Sequence, residues 1–431
     1  MNLINIVLNG QLKTEGYILN WRKRHMASIT IIDYGLIDYQ IAVGYNYIDI
    51  LQWWLDYCVE FNLDIYNLYD ILWAASVHGC LDALNLCSKY LKSIDDIDIA
   101  DIITMTSSRG HIDILQWWKD YCTDANIDFC YNAQPIDRAF EYNDSNVLNW
   151  WIKQHNGSGL KLKYTSRAID TVSASGRIDR LNWWIEQYKN LGLTLKYSID
   201  AIDEASRNGH FDVLNWWIEQ HKGLGLEIKY TDKSLDEASS NGHINVLNWW
   251  IKQYKELGLE MKYTTNALDR ASCNGHIDVL NWWIEQYKKL GLEMKYTSKV
   301  LDKASGNGHI DVLDWWIKQH RDNKIILFYT NRAMDNATIN EHIAVLNWWK
   351  HKERQCGIPL RYSIRILDIN RHCKSNIISW WCNSGLPIIY NESKDYQPKD
   401  DPSVAIWLRN TRNNNNKRKT INRRKKHVNK R

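Results

Sequence analysis

The sequence predicts an all-α repeat solenoid built from helix-turn-helix units. Three observations predict it: a period of 33 residues, a Trp-Trp pair at the same point of most periods, and a glycine turn between two segments of helical hydrophobic periodicity. Self-similarity at a period of about 20 to 50 residues is typical of solenoids, in which each repeat contacts only its neighbours. The pairs begin at residues 53, 117, 150, 183, 216, 249, 282, 315, 348 and 380.

Residues 262–294 represent one repeat. The first helix is predicted over about Thr265 to Cys273, after Tyr263-Thr264, where a threonine can cap it. It should end at Asn274-Gly275, since glycine allows the left-handed turn that closes a helix.

The second helix of this repeat is predicted over about Ile277 to Lys289 and should end at Leu290-Gly291. Its polar residues recur at spacings of three and four, which places them on one solvent-facing stripe. The stripe consists of Asp278, Asn281, Glu285 and Lys288. The remaining surface, which includes Tyr287, is predicted to be apolar and buried.

The tryptophan pair is predicted to lie in the core. Adjacent side chains point about 100° apart on a helix, so one indole should pack on its own repeat's first helix and the other on a neighbouring repeat. Indoles can also stack nucleic-acid bases or form a cage for a cation, but their setting beside Leu and Ile favours the core. The connector after the pair, Leu292 to Tyr296, alternates apolar and polar residues, which predicts an extended link in place of a full hairpin.

Composition and charge narrow the class of protein. The chain has 45% hydrophobic and 24% charged residues with a net charge of +4, as folded soluble proteins do. No apolar run approaches the roughly 18 to 20 residues that span a bilayer, and the start lacks the pattern of a secretory signal. We therefore expect a soluble intracellular protein that does not contact membranes. The nine cysteines show no CxxC spacing, so we expect them reduced and mostly buried.

The repeat resembles the ankyrin repeat. Ala267-Leu268-Asp269 stands at the Pro-Leu-His positions of that family, Ala271-Ser272 at Ala-Ala, and the segment from Gly275-His276 to Leu280 matches the Gly-His turn and the aliphatic second helix. Two departures are the missing Thr-Pro start and a late glycine after the second helix, which imply a longer second helix and a reduced or absent hairpin. The richness in Trp, Asn, Ile, Lys and Tyr is similar to ankyrin-repeat proteins of giant amoeba-infecting viruses.

Three regions follow from this interpretation. Residues 1–40 are predicted to form a degenerate N-terminal capping repeat, residues 41–390 an ankyrin-like array of about eleven registers, and residues 391–431 a linker and a basic disordered tail. The resemblance implies a scaffold that binds a protein partner along the concave face of its stack, and we expect it to be monomeric.

Candidate catalytic and metal-ligating residues recur with the period, but their spacing argues against both roles. Adjacent repeats stack about 8 to 10 Å apart, too far for two imidazoles to share an ion or two carboxylates to share a proton. We expect the histidines to bond to turn backbone and the aspartates to bond loops and caps. The recurrent residues are His111, His210, His243, His276, His309 and His342, and Asp170, Asp203, Asp236, Asp269, Asp302 and Asp335.

One irregular cluster, His372-Cys373 with Cys356 and Cys382, matches no zinc spacing and is predicted to be buried and unliganded. The chain contains no phosphate loop, nucleophile elbow or metalloprotease motif. We therefore expect a protein that is not an enzyme and that uses no cofactor and no metal.

The predicted partner-binding residues are those that vary between otherwise similar repeats, since a repeat surface can change its specificity without disturbing the core. One column consists of Arg167, Asp200, Lys233, Asn266, Lys299 and Arg332. A second consists of Thr171, Glu204, Glu237, Arg270, Lys303 and Asn336, and a third of Ala174, Arg207, Ser240, Cys273, Gly306 and Ile339. Charges of both signs along these columns indicate a polar partner surface.

The C-terminal tail supports an alternative function. Residues 412–431 carry ten Lys or Arg and no Asp or Glu, which leaves a net charge of −6 on the rest of the chain. Three interpretations stay open: a nuclear-import signal, contact with nucleic acid through released counterions, or an inert solvated terminus. The clusters concerned are Lys417, Arg418, Lys419, Arg423, Arg424, Lys425 and Lys426.

Overall fold

The computed structural model describes residues 43–44, 46–60, 68–91, 99–142, 145–364 and 375–388. Every regular element in these ranges is an α-helix, and they contain no β-strand. From Ile99–Arg109 to Ile343–Cys356 a shorter first helix and a longer second helix alternate, which confirms the predicted all-α repeat solenoid. None of these helices is long and apolar enough to cross a membrane. The predicted capping repeat at residues 1–40 lies outside the described residues.

The helices bounded by the described residues are Ile48–Glu60, Leu68–His78, Leu81–Ser88, Ile99–Arg109, Ile112–Asp124, Gln134–Glu141, Ser145–Ser158, Arg167–Ala174, Ile178–Leu191, Asp200–Arg207, Phe211–Leu224, Lys233–Ser240, Ile244–Leu257, Asn266–Cys273, Ile277–Leu290, Lys299–Gly306, Ile310–Asn323, Arg332–Ile339, Ile343–Cys356 and Ser375–Asn383.

The chain divides into two compact units. The first comprises Met1–Val172 with Asp179–Ser198, and the second comprises Ser173–Ile178 with Ile199–Arg431. In the second unit the first helices of successive repeats pack side by side, as do their second helices, with the second helices packed behind the first. Each repeat therefore forms its core with its own helices and those of its neighbours.

The first helix of the representative repeat, Asn266–Cys273, starts and ends as the sequence predicts. The backbone N–H of Asn266 donates to Thr264 Oγ1 at 3.1 Å, so this threonine caps the helix. At the other end Gly275 has φ of +81°, and the His276 N–H donates to the Ala271 carbonyl at 2.9 Å. The positive φ of Gly275 thus lets the His276 N–H bond to the Ala271 carbonyl, which would otherwise have no partner at the helix end.

The second helix, Ile277–Leu290, ends before Gly291 at φ of +72°, also as predicted. Its burial differs from the prediction at one position, Tyr287. Tyr287 is 41% exposed, whereas Gln286 is buried. Gln286 lies three and four residues after the tryptophan pair and therefore shares the buried face, which turns Tyr287 toward solvent.

The two indoles of each pair are held by different hydrogen bonds. The rings of Trp282 and Trp283 are nearly perpendicular, at 88°. Trp283 Nε1 donates to Ser239 Oγ on the preceding first helix at 3.0 Å, and Trp282 Nε1 donates to Asn248 Oδ1 on the preceding second helix at 2.8 Å. Both N–H groups thus bond to the preceding repeat. Within its own repeat, Trp283 contacts Tyr263 of the connector, with ring centroids 4.5 Å apart.

These bonds form two ladders along the chain. From the pair at Trp117 onward, the second indole of every pair except Trp183-Trp184 donates to a serine or threonine 42 to 44 residues earlier, as at Trp118, Trp151, Trp217, Trp250, Trp316, Trp349 and Trp381. The first indole donates to an Asn, Asp or Gln 32 to 34 residues earlier, as at Trp117, Trp150, Trp249, Trp315, Trp348 and Trp380.

Trp184, in the first unit, does not make this hydrogen bond, and the residue at the serine position explains why. Its buried Nε1 has no hydrogen-bond partner within the described residues. The position 44 residues earlier is Phe140, which stacks on the indole with centroids 4.7 Å apart. Aromatic stacking replaces the hydrogen bond here, since phenylalanine offers no acceptor for the indole N–H.

The connectors between repeats are extended and contain no strand within the described residues, as the sequence predicts. A tyrosine in each ties one connector to the next: Tyr263 OH donates to the Glu293 carbonyl at 2.9 Å. Lys295 Nζ lies 4.4 Å from the centroid of the Tyr263 ring, a cation-π contact. Backbone and side-chain bonds between successive connectors thus take the place of a β-hairpin.

Candidate partner-binding face

The recurrent aspartates bond neighbouring repeats, as predicted. Asp236 is buried, and its two carboxylate oxygens accept hydrogen bonds from the backbone N–H and the hydroxyl of Thr264. Burial raises the pKa of the Asp236 carboxyl, whereas the bonds from Thr264 lower it. Equivalent bonds join Asp137 to Thr165, Asp170 to Ser198, Asp203 to Thr231, Asp269 to Thr297, Asp302 to Thr330 and Asp335 to Ser363. These carboxylates therefore have a structural role.

The recurrent histidines lie against the turn glycines of the preceding repeats. His111 Nε2 lies 3.1 Å from the Val77 carbonyl, and His243 bonds to the Arg207 backbone, so the predicted turn role is confirmed at both. A Cβ atom placed on Gly209 would lie 2.7 Å from His243 Nδ1. Glycine is therefore required at this turn for two reasons: it adopts a positive φ, and it leaves space for the histidine ring of the next repeat.

The free energy of unfolding is expected to fall as the pH drops below about 6.5, because His243 is harder to protonate in the folded chain. Desolvation lowers its pKa, and the charges of His210 and His276 act in the same direction, against the bond to Arg207. The unfolded chain therefore binds a proton at higher pH than the folded chain, so acid favours unfolding. Urea unfolding at about pH 7.5 and about pH 5 should show a smaller loss for His243→Gln than for the wild type. Equal losses would contradict this role.

The cysteines are less buried than predicted. Among the described residues Cys58, Cys87 and Cys122 are buried, whereas Cys130 and Cys356 are exposed. The prediction of a buried cluster fails at Cys356, because this residue ends a second helix beside solvent-exposed Gly357. His372 and Cys373 lie outside the described residues. Within the described ranges, no three His, Cys, Asp or Glu side chains are grouped to hold a metal ion.

The three variable columns lie on one face of the first helices. They occupy the first, fifth and eighth residues of each helix, and these spacings of four and seven place side chains on the same side. We call this surface the first-helix face. The positions between the columns are different: in Lys299–Gly306, Val300, Leu301, Asp302, Ala304 and Ser305 are all buried.

The side chains of the first and second columns are exposed or half-buried. Exposed members are Arg167, Asp200, Lys233, Lys299, Arg332, Arg270 and Lys303. Half-buried members are Asn266, Thr171, Glu204, Glu237 and Asn336. In the third column Ala174 and Cys273 are half-buried, Ser240 and Gly306 are buried, and Arg207 and Ile339 are exposed.

Ion pairs neutralise part of this face. Arg270 pairs with Glu237 of the preceding repeat, and Arg207 pairs with Glu204 of its own helix at 3.5 Å. In the first unit Arg167 pairs with Glu141 at 3.2 Å. Such exposed pairs contribute about 1 kcal/mol or less to stability, so they leave the charges available to a partner.

The first-helix face is basic on its last two first helices, Lys299–Gly306 and Arg332–Ile339. Lys299, Lys303 and Arg332 have no ion-pair partner among the described residues, and these helices place no acidic side chain on the face. Their only acids, Asp302 and Asp335, are buried and bonded to Thr330 and Ser363. The first-helix face of the second unit therefore changes from acidic residues near Asp200 and Glu204 to unpaired cations.

Two exposed apolar residues that are not among the predicted site residues, Ile326 and Phe328, lie in a connector of the second unit. The signal was present, since the equivalent positions of the preceding connectors are polar. The seven basic residues predicted in the tail, from Lys417 to Lys426, lie outside the described residues.

No protein-family model matches the chain, and no curated protein matches it in sequence. Among the solved structures that match in fold are two that each have a TM-score of 0.43. One is the pentatricopeptide repeat protein PPR10 in complex with an 18-nucleotide psaJ RNA element, at 12% identity. The other is a variant of PPR10 with three cysteine-to-serine changes, in complex with the same element, at 11% identity. Each match covers 81% of this chain and 51% of the other, so the chain spans about half the length of these proteins.

Proposed function

We propose that this protein is a non-enzymatic scaffold that holds a protein partner against the first-helix face of its repeats, in the manner of an ankyrin-like stack. The observation that carries the proposal is that, within the first helices, the charge of this face varies while the buried positions stay nearly constant. In the five first helices from Asp200–Arg207 to Arg332–Ile339, the fourth residue is always Asp and the sixth is always Ala. The first and fifth residues differ in charge among these helices, as in Asp200 and Lys233 at the first position and Glu237 and Arg270 at the fifth.

The bonding pattern explains why these columns can vary. The links between repeats use the buried Asp, the Ser or Thr that accepts from an indole, the turn Asn and the turn His. None of these links needs the side chains of the first and fifth positions. The Arg270–Glu237 pair does join two repeats through the fifth position, but such an exposed pair contributes about 1 kcal/mol or less. A surface that the fold does not constrain can be specialised for a partner, and its mixed charges suit a polar protein surface.

Charge reversal on this face should abolish capture of the partner. The variant Glu204→Lys, Glu237→Lys, Lys303→Glu is expected to reduce capture from cell lysate at least about tenfold, measured by quantitative mass spectrometry of the bound proteins. Its matched control is Glu219→Lys, Glu285→Lys, Lys318→Glu, which makes the same charge changes at exposed positions of the second helices.

The control should capture as the wild type does, and both variants should melt within a few degrees of it, because the substituted side chains are on the surface. Unchanged capture by the first variant, or an equal loss in both, would count against the first-helix face.

A second candidate function is binding of nucleic acid through the basic tail, favoured by the ten Lys or Arg of residues 412–431. Binding through released counterions falls steeply with salt. The full chain should bind a single-stranded or duplex probe at about 50 mM salt and lose it by about 300 mM, and deletion of residues 412–431 should remove this binding. Binding that survives the deletion would exclude a tail-driven mechanism. A fluorescent fusion that carries Lys417 to Lys426 tests nuclear import separately.

A further inference from the structure

One connector of the second unit presents apolar residues where the five connectors before it present polar ones. The five connectors that follow Gly159, Gly192, Gly225, Gly258 and Gly291 carry the polar pairs Lys161 and Lys163, Thr194 and Lys196, Glu227 and Lys229, Glu260 and Lys262, and Glu293 and Lys295. All ten side chains are exposed or half-buried. The connector that follows Lys324 has Ile326 and Phe328 at these positions, with 63% and 46% of their surface exposed.

Contacts between successive connectors do not account for the replacement of the polar pair by Ile326 and Phe328. Lys295 contributes a cation-π contact with Tyr263 and a hydrogen bond to its carbonyl at 3.3 Å. Phe328 contacts the Tyr296 ring at 5.7 Å but has no group that could donate to a carbonyl. The exchange therefore loses a bond between connectors and leaves apolar surface in water. Exposed apolar surface at a restricted place is typical of an interaction site.

A groove lies directly beside this connector. It is lined by Thr330 and Asn331 of the same connector, by Leu360, Tyr362 and Ile364 of the next one, and by Arg361 and Pro387. Asn331 Nδ2 donates to Ser363 Oγ at 2.8 Å, and Tyr362 OH donates to the Pro387 carbonyl at 3.3 Å. The two connectors are thus fixed to each other, and the groove is formed before any partner arrives.

The two connectors that line the groove carry only positive charges. The carboxylate of Asp335 accepts a hydrogen bond from Asn331 Nδ2 at 2.9 Å, but Asp335 is buried. Residues 324–332 and 357–364 contain Lys324, Arg332 and Arg361 and no Asp or Glu. Arg332 immediately follows the groove residue Asn331 and begins a first helix, where it joins Lys299 and Lys303 on the basic end of the first-helix face. Apolar surface thus continues into unpaired cationic surface.

We infer that the groove and Ile326 and Phe328 hold a segment of a partner protein that carries a large apolar side chain next to carboxylates. This inference rests on the proposed function, because it names the chemistry of the segment that the first-helix face of this unit would receive. An apolar side chain would pack on Phe328 and Ile326, and the segment would continue into the groove beside Ile364. The carboxylates would pair with Arg332, Lys299 and Lys303, whose charges nothing on the described surface neutralises.

Nucleic acid fits the same surface less well. Three of its apolar residues, Ile326, Leu360 and Ile364, are aliphatic and do not offer the ring faces on which bases stack. A phosphate backbone that extended along the first-helix face would also meet Glu204 and Asp200 in the same unit. A protein segment can instead place its acidic residues only where the cations lie.

The test is a selection of displayed random peptides of about 12 residues on the full chain, with counter-selection on Ile326→Glu, Phe328→Lys. This variant restores the residues that three of the other connectors carry, so it should fold, and the introduced lysine can contact Tyr296 as Lys295 contacts Tyr263. Enriched peptides are expected to combine an aromatic or large aliphatic residue with neighbouring Asp or Glu. As synthetic peptides they should bind the variant at least about tenfold more weakly by fluorescence anisotropy.

Four results would overturn the inference. The first is that no peptide binds the wild type in preference to the variant, and the second is that the enriched peptides are basic. The third is that an RNA of similar length displaces the peptide and depends equally on Phe328, and the fourth is that deletion of residues 389–431 raises the affinity for the peptide. The last would show that the chain's own C-terminal segment covers the groove. Lys299→Glu, Lys303→Glu separates the two proposals. Peptides sensitive to the connector variant and insensitive to this one would keep the groove and contradict the proposed role of the first-helix face.

Discussion

Trp283→Ala is expected to lower the free energy of unfolding by about 3–5 kcal/mol, the largest effect of any single substitution we propose. The Trp283 side chain is fully buried, contacts Tyr263 at 4.5 Å and bonds to Ser239 at 3.0 Å. Alanine would remove all of this and leave a cavity at the junction of two repeats that neither can fill. Urea unfolding followed by circular dichroism measures the loss. An unmoved transition would show that the indole lies outside the core.

A pair of Trp→Phe variants separates packing from hydrogen bonding. In Trp283→Phe the ring is reduced and the Ser239 hydroxyl loses the indole that donates to it. In Trp184→Phe the ring is reduced in the same way, but Trp184 Nε1 has no partner to lose among the described residues, because Phe140 stands where serine would. We therefore expect Trp283→Phe to cost about 1 kcal/mol more than Trp184→Phe. Equal costs would show that the indole hydrogen bond adds no net stability.

The sequence predicts the repeat itself with good accuracy, because its boundaries depend on local chemistry. Helix ends coincide with the glycines at 275 and 291, which adopt positive φ, and the first helix begins beside a threonine that accepts its amide. The structural role of Asp236 also follows from spacing alone, since a period of 33 residues prevents neighbouring carboxylates from sharing a proton. What repeats in the sequence repeats in the contacts.

Contacts between repeats were predicted less well, since they depend on how neighbouring helices are offset. Both indole N–H groups of the pair bond to the preceding repeat, whereas the sequence predicts that one indole packs on its own repeat's first helix and the other on a neighbouring repeat. Gln286 is buried in place of Tyr287 for the same reason: the buried face follows the tryptophans. Local periodicity fixes which residues share a face, and only the packed neighbour fixes where that face points.

The candidate site shows the same division. The sequence predicts that the first, fifth and eighth residues of each first helix share a face. Only the packed structure shows that Arg270 pairs with Glu237 and that Lys299, Lys303 and Arg332 have no ion-pair partner among the described residues. The groove at Leu360 and Tyr362 could not be predicted, because it is shaped by two connectors and by Pro387 together. Ile326 and Phe328 could have been found, since each breaks a column that is otherwise polar in the preceding connectors.

Gly209→Ala is expected to destabilise the second unit by about 2–4 kcal/mol, the second largest effect. Gly209 has φ of +76°, which alanine adopts at a cost of about 1–2 kcal/mol. The new Cβ would also lie 2.7 Å from His243 Nδ1 and 2.8 Å from its Cε1, so the imidazole must move away from the turn and weaken its bond to the Arg207 backbone. The ring atoms are rigid, which leaves movement of the whole side chain as the only relief.

Gly258→Ala is the matched control for this prediction. Gly258 has nearly the same φ, +70°, but no atom lies within 4 Å of the Cβ position. Its cost should therefore be only the conformational term of about 1–2 kcal/mol, and urea unfolding of the two variants gives the cost of the clash as their difference. The double variant Gly209→Ala, His243→Ala should recover part of that difference, because the added methyl group would then meet no ring. If the two single variants unfold at the same urea concentration, the glycine of the turn is required for its φ alone, and contact with the histidine of the next repeat contributes nothing to the choice of residue.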